Sequence, residues 1–230
     1  MKMIGLIGGM SWESSACYYQ SINRRVAARR GGLHSARCLL YSVDFAEIED
    51  CQREGDWDRA GVLLADAARA LQAAGADLIG LCTNTMHKVA DAIQAAVDVP
   101  LLHIADATGT ALVAAGVRRV GLLGTRFTME QGFYRERLAR AFGLDVVVPD
   151  APARAEVHRV IYDELCRGEV REDSREHYRA IVQELVDAGA EGVILGCTEV
   201  GLLLRQRDAA APLFDTTQLH AEALVDAALD

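Results

Sequence analysis

Ile4-Gly5-Leu6-Ile7-Gly8 is a short apolar run closed by glycine, and Val120-Gly121-Leu122-Leu123-Gly124 repeats it later in the chain. Apolar runs of this length, without alternating polar residues, suit a strand buried on both faces of a parallel sheet. Two further pairs keep the same spacing. Ile79-Gly80-Leu81-Cys82-Thr83 resembles Val193-Ile194-Leu195-Gly196-Cys197, and Pro100-Leu101-Leu102-His103 resembles Pro212-Leu213-Phe214-Asp215. The offsets are about 116, 114 and 112 residues, constant enough to read two homologous halves.

Outward from these runs, strands are predicted at 3–8, 38–43, 78–82, 101–104, 119–123, 145–148, 192–195 and 213–215. Helical patterns alternate with them at 14–30, 58–74, 86–97, 105–115, 128–142, 155–166, 174–188 and 218–229, and glycine closes most. Segments 33–37 and 167–172 are read as connectors. This alternation predicts an α/β protein of two pseudo-symmetric lobes, each a parallel sheet flanked by helices, with the active site in the cleft between them. The first lobe is expected to hold residues 1–98 plus 212–230, and the second 99–211.

The totals narrow the function. The chain has 230 residues, 51% hydrophobic and 25% charged, a globular composition with no apolar run near the ~20 residues of a membrane span. Its net charge of -9 disfavours nucleic-acid and anionic-membrane partners, leaving a small molecule as the expected ligand. The opening Met1-Lys2-Met3-Ile4-Gly5 reads as a strand and not as a signal peptide, so a cytoplasmic location is expected. Cys17, Cys38, Cys51, Cys82, Cys166 and Cys197 are scattered without a C-x-x-C pair, which argues against a disulfide framework or a zinc site.

Strand ends supply the chemistry of open α/β sheets. Gly5-Leu6-Ile7-Gly8-Gly9-Met10-Ser11 lacks G-x-G-x-x-G spacing and reads as a tight strand-to-helix turn that brings Ser11 to the cleft. Cys197-Thr198-Glu199 follows Leu195-Gly196 and is expected to open a helix, a location that lowers a thiol pKa. Leu81-Cys82-Thr83-Asn84-Thr85-Met86-His87 is its counterpart. Asn84 and Thr85 offer either a helix cap or a hold on a substrate carboxylate; their match to Thr198 favours the second. His87 reads as a capping or packing residue. His103, Asp215, Asp44, Thr125 and Thr128 are weaker candidates at strand ends, and the arginines at 24, 25, 29, 30, 118 and 119 read as solvated helix ends.

With the paired Asn-Thr and Gly-Cys-Thr corners, the duplicated halves and the opening Gly-Leu-Ile-Gly-Gly-Met-Ser, the chain resembles the aspartate/glutamate racemase family over essentially its whole length. Gly8-Gly9-Met10-Ser11-Trp12-Glu13-Ser14 and Leu81-Cys82-Thr83-Asn84-Thr85-Met86-His87-Lys88 resemble its enteric branch of acidic or broad-specificity amino-acid racemases. The resemblance implies two lobes, no pyridoxal phosphate, no metal, and a homodimer. It also implies that the strand before each crossing docks on the opposite lobe, and that the last helix returns to the first. The implied mechanism is two-base: one residue removes the α-proton and its counterpart on the opposite face returns one, with donors at Asn84, Thr85 and Thr198 stabilising the charge.

The chain departs from that pattern in two places. The family commonly has cysteine directly before Asn-Thr, whereas Thr83 stands there and Cys82 one position earlier. Side chains alternate along a strand, so Cys82 is expected to turn away and Thr83 to face Cys197. Thr83 and Cys197 are therefore the expected catalytic pair, with the thiol the stronger base, and the branch that the chain resembles implies L as the favoured enantiomer. The cations that the family uses for a distal carboxylate are also missing; Asp50-Cys51-Gln52-Arg53 and Leu165-Cys166-Arg167 stand at those segments. Gln52 becomes the expected anchor, with Arg53 or Arg167 as substitutes, and Met10, Ser11, Asn84, Thr85, Thr125 and Thr198 complete the expected substrate site. Acidic substrates come first, then small polar ones such as homoserine. The alternatives are another enzyme of the fold, such as a maleate isomerase, hydantoin racemase or arylmalonate decarboxylase, or a catalytically silent amino-acid-binding protein.

Overall fold

β1 (Ile4–Gly8) is buried along its whole length and has a parallel neighbour on each edge. It pairs with β2 (Cys38–Ser42), Ile4 beside Cys38, and with β3 (Leu78–Leu81), Ile4 beside Leu78. β4 (Leu101–Leu102) adds to β3 and completes the order β2-β1-β3-β4. The computed structural model describes residues 1–230. They form two compact units, Met1–Ile104 with His220–Asp230, and Ala105–Leu219.

Helices α1 (Trp12–Arg30), α2 (Phe45–Glu54), α3 (Trp57–Ala73) and α4 (Ala90–Gln94) connect the strands of the first unit. Ser11, Asp44 and Asp56 begin the first three by accepting from backbone N–H groups of Ser14, Ala46 and Arg59. Alternation along β3 feeds two separate cores. Ile79 and Leu81 join Ile7, Ile48, Leu64, Leu71 and Met86, whereas Leu78 and Cys82 join Ile4, Leu6, Tyr18, Ile22 and Leu224. Two glycines permit this packing. Gly9 has a φ of 96°, and a Cβ there would stand 2.6 Å from Val43 N. A Cβ on Gly80 would stand 2.5 Å from Leu224 Cδ1, so the last helix lies directly against β3.

The second unit repeats the plan. α5 (Ile104–Ala114) leads into β5 (Arg119–Gly124); α6 (Arg126–Glu130) and α7 (Gly132–Phe142) lead to β6 (Asp145–Val147). α8 (Ala151–Asp163) and α9 (Glu172–Asp187) precede β7 (Val193–Gly196), and α10 (Val200–Leu203) precedes β8 (Leu213–Asp215). The sheet order β6-β5-β7-β8 reproduces the winding of the first sheet, so the expected two-lobe parallel α/β fold is present. α11 (Thr216–Leu229) then carries the chain back to the first unit, where Lys2 N donates to Ala228 O at 2.8 Å. No helix is long and apolar enough to cross a membrane.

Several sequence expectations change. The units part at Ile104–Ala105 and Leu219–His220, not at 98–99 and 211–212. The reason is strand pairing: β4 bonds to β3 and β8 to β7, so neither strand joins the other unit's sheet. The helix expected at 86–97 is a 3-10 turn, Thr85–Val89, followed by the short α4. The one expected at 128–142 is interrupted at Gln131, whose ψ of 148° is extended. α2 was not anticipated. Asp44, read as a strand end, is its N-cap.

Candidate active site

The first corner begins where β3 stops pairing. Cys82 N still reaches Ile7 O at 2.9 Å, and Thr83 N folds back to Leu81 O at 2.9 Å. Cys82 is fully buried among apolar side chains, and that burial pushes its thiol far up. A neutral thiol in such surroundings behaves as a small hydrophobe. Thr83 is 8% exposed. Asn84 and Thr85 are also buried, but Asn84 has helical backbone angles and its side chain makes no cap bond to the turn that follows.

His87 holds this corner from behind. Ile104 N donates to its Nε2 at 3.2 Å, so Nε2 carries no proton and Nδ1–H donates to Thr83 O at 2.7 Å. The ring centroid lies 4.4 Å from that of His103 and 5.9 Å from that of His220. His220 has the opposite tautomer: Nε2–H donates to Leu102 O at 2.9 Å, and Tyr18 Oη donates to Nδ1 at 2.8 Å. His87 is thus a packed, hydrogen-bonded residue. His103 and His220 tie β4 and α11 to the same corner.

The glycine turn after β1 is tied by Ser15, whose Oγ accepts from Gly9 N at 2.8 Å and donates to Ser11 O at 3.1 Å. Ser11 caps α1, and Met10 packs into the core with Ile7 and Ile79. Gln52 lies on α2, 5% exposed, with Nε2 directed at Met86 Sδ 3.0 Å away. Arg53 is turned to the surface of α2, paired with Glu49 at 3.1 Å and with Asp50.

At the second corner Cys197 is also 8% exposed. Its thiol donates to Glu199 Oε2 at 2.9 Å, and Thr198 Oγ1 donates to the same oxygen at 2.7 Å. Burial pushes the Cys197 thiol well up, and the negative charge of Glu199 pushes further in the same direction. This reverses the sequence expectation of a thiol lowered by a helix end. α10 has only 4 residues and begins at Val200, so its dipole is slight beside a carboxylate in contact with the sulfur. Glu199, 2% exposed, escaped the sequence reading even though Cys197-Thr198-Glu199 was in view. A helix starting at Cys197 would have turned the carboxylate away.

Nearby in the same unit, Thr125 caps α6 by accepting from Thr128 N at 3.3 Å. Asp215 accepts from Thr217 N at 2.9 Å and Gln218 N at 3.3 Å, while burial raises its carboxyl. Thr216 Oγ1 donates to Leu195 O at 2.8 Å and so ties α11 to β7.

Two like parallel α/β units each carry a buried hydroxyl or thiol just past an inner strand, Thr83 after β3 and Cys197 after β7. The chain matches the Asp/Glu/Hydantoin racemase family over residues 7–224, belongs to that family, and is an isomerase of the racemase type. It is 24% identical to the broad-specificity amino-acid racemase RacX of Bacillus subtilis over 229 residues, 97% of this chain and 96% of that one. Among solved structures, a Yersinia pestis protein assigned as an Asp/Glu racemase is 55% identical with a TM-score of 0.93, each chain covered in full at 100%. An aspartate racemase homologue from Pyrococcus horikoshii OT3 is 37% identical with a TM-score of 0.85, again covering 100% of both chains.

Proposed function

We propose that the protein interconverts the L and D forms of acidic amino acids, aspartate or glutamate first and small polar amino acids after them, without pyridoxal phosphate. Thr83 and Cys197 are the two acid-base groups. The observation that carries this reading is the equivalence of their positions: each lies two residues beyond a leucine, Leu81 or Leu195, that pairs with the central strand of its sheet. Both remain slightly exposed, at 8%, whereas Cys82 is lost to the core.

Two-base inversion requires the two groups to serve opposite faces of one α-carbon. Cys197 takes the proton from the L enantiomer, and Thr83 returns one to the other face. An amino-acid α-proton is only weakly acidic, so the developing charge needs donors; Ser11, Asn84, Thr85, Thr125 and Thr198 are the buried polar groups available. Gln52 and Met10 line the side-chain end in this reading. The broad specificity printed for the Bacillus relative supports keeping small polar amino acids as substrates. A cytoplasmic homodimer completes the proposal, checked by fractionation and sedimentation.

The test is chiral analysis of L- and D-amino acids incubated with protein freed of added cofactors, in D2O. Racemisation of aspartate or glutamate with α-deuteration is the expected result. Binding without α-H exchange would instead make the chain a silent amino-acid receptor, and turnover of maleate, a hydantoin or an arylmalonate alone would move it to another reaction of the fold.

A further inference from the structure

Cys197 presents a difficulty as a base. Its thiol is buried and already donates its proton to Glu199 Oε2 at 2.9 Å, so the species at rest is a thiol beside a carboxylate. Forming a free thiolate there would place a second negative charge against the first in a site of low polarity, which is costly. A thiol facing a carboxylate has another route.

We propose that Glu199 is the proton-holding residue for Cys197: as the sulfur takes the substrate α-proton, its own proton passes to Glu199 Oε2. This rests on the racemase reading above. The balance is simple. The Cα–H bond breaks and a new S–H forms, the old S–H breaks and an O–H forms at Oε2, and the electron pair stays at Cα. One negative charge moves from the carboxylate to the substrate, and sulfur never carries a full one. In reverse, the carboxylic acid reprotonates the sulfur as the sulfur protonates the carbanion. The Thr198 hydroxyl, 2.7 Å from the same oxygen, keeps Oε2 directed at the thiol.

Other groups facing this pair do not replace Glu199. Cys166, in the turn after α8, and Tyr178, on α9, lie close enough to interact with the Cys197 charge. The Tyr178 hydroxyl is committed to Val157 O at 2.8 Å. Asp215 faces Gly201 of α10, a Cβ there standing 2.6 Å from its Oδ2, and Arg175 Nε donates to Leu203 O at 2.8 Å. None of these is a carboxylate in contact with the sulfur.

The experiment compares wild type with Glu199→Gln in two ways: α-H exchange of L-aspartate and L-glutamate in D2O across pH, and alkylation of Cys197 by iodoacetamide followed by peptide mass analysis. In Glu199→Gln, exchange should fall about 100-fold or more at neutral pH with KM changed by less than about threefold. Its rising limb should also move to higher pH, because the proton must leave to solvent. Alkylation should move the opposite way and become faster at a given pH, since the repelling charge is gone. Glu199→Asp keeps the charge but shortens the reach, so it should keep alkylation slow while exchange is partly lost. Exchange within threefold of wild type, or alkylation no faster in Glu199→Gln, overturns the relay. Failure of wild type itself to exchange any amino acid overturns the racemase reading instead, so the two failures are distinct.

Discussion

The corners after β3 and β7 follow strands of matching register and are opposites in chemistry. At the first, a thiol points into an apolar cluster and a hydroxyl follows it, and the ring of His87 bonds to the Thr83 carbonyl. At the second, the thiol occupies the hydroxyl's place, and a carboxylate accepts its proton. The difference teaches that duplication supplied two positions, not two equal bases. On the proposed two-base reading each group removes the proton in one direction and returns it in the other, so an unequal pair makes the two half-reactions unlike without altering the equilibrium between enantiomers.

The largest expected effect breaks the comparison outright. Cys197→Ser replaces the thiol with a hydroxyl, making both corners alike, and α-deuteration of the L substrate should fall by about 10³-fold or more. Deuteration retained near the wild-type rate would remove Cys197 from the chemistry.

Thr83→Val keeps the shape and deletes the hydroxyl. Appearance of the D enantiomer, followed by chiral chromatography, should fall about 100-fold, while deuteration of the L enantiomer persists through Cys197. Equal loss of both would mean that the two corners do not divide the work as proposed.

Cys82→Ser sharpens the contrast from the other side. It places a hydroxyl in an apolar cluster, so stability in urea should drop by about 1–3 kcal/mol. Deuteration per folded molecule should be unchanged, and its loss would return Cys82 to the reaction.

The smallest effect concerns the residues at the ends of the matched strands β4 and β8, His103 just after β4 and Asp215 the last of β8. His103 joins a cluster of rings, whereas Asp215 is a carboxylate raised by burial. A carboxyl raised in the folded state contributes stability that is full below its unfolded pKa and is lost as pH rises through the folded value. The melting temperature of wild type relative to Asp215→Asn should therefore decline as pH rises above the ordinary aspartate value of about 3.9. A difference that grows as pH rises would contradict a destabilising burial of Asp215.

Much of the fold was legible because its signals are local. Glycine-closed apolar runs such as Ile4–Gly8 and Arg119–Gly124 carry their own strand pattern, and repetition at near-constant spacing implied two like units before any contact was known. What escaped depended on competition between local preferences. Residues 86–97 have helical composition, yet Thr85–Val89 tightens into a 3-10 turn that directs His87 at the Thr83 carbonyl. Phe45–Glu54 was hidden because Asp44 serves equally as a strand end or an N-cap.

The candidate site divides along the same line. Sequence by itself determined which residues stand at the two strand ends, and alternation along a strand was enough to expect Cys82 to turn away. Its burial with Ile4, Leu6 and Leu224 follows from that period, since successive side chains face opposite sides of the sheet. Only the tertiary structure decided the company each group keeps. The contact of Glu199 with the Cys197 sulfur and the seat of α11 on Gly80 arise from a turn and from residues distant in the chain. The direction of a thiol's pKa follows from burial and neighbouring charge, and both depend on packing that residue order does not specify.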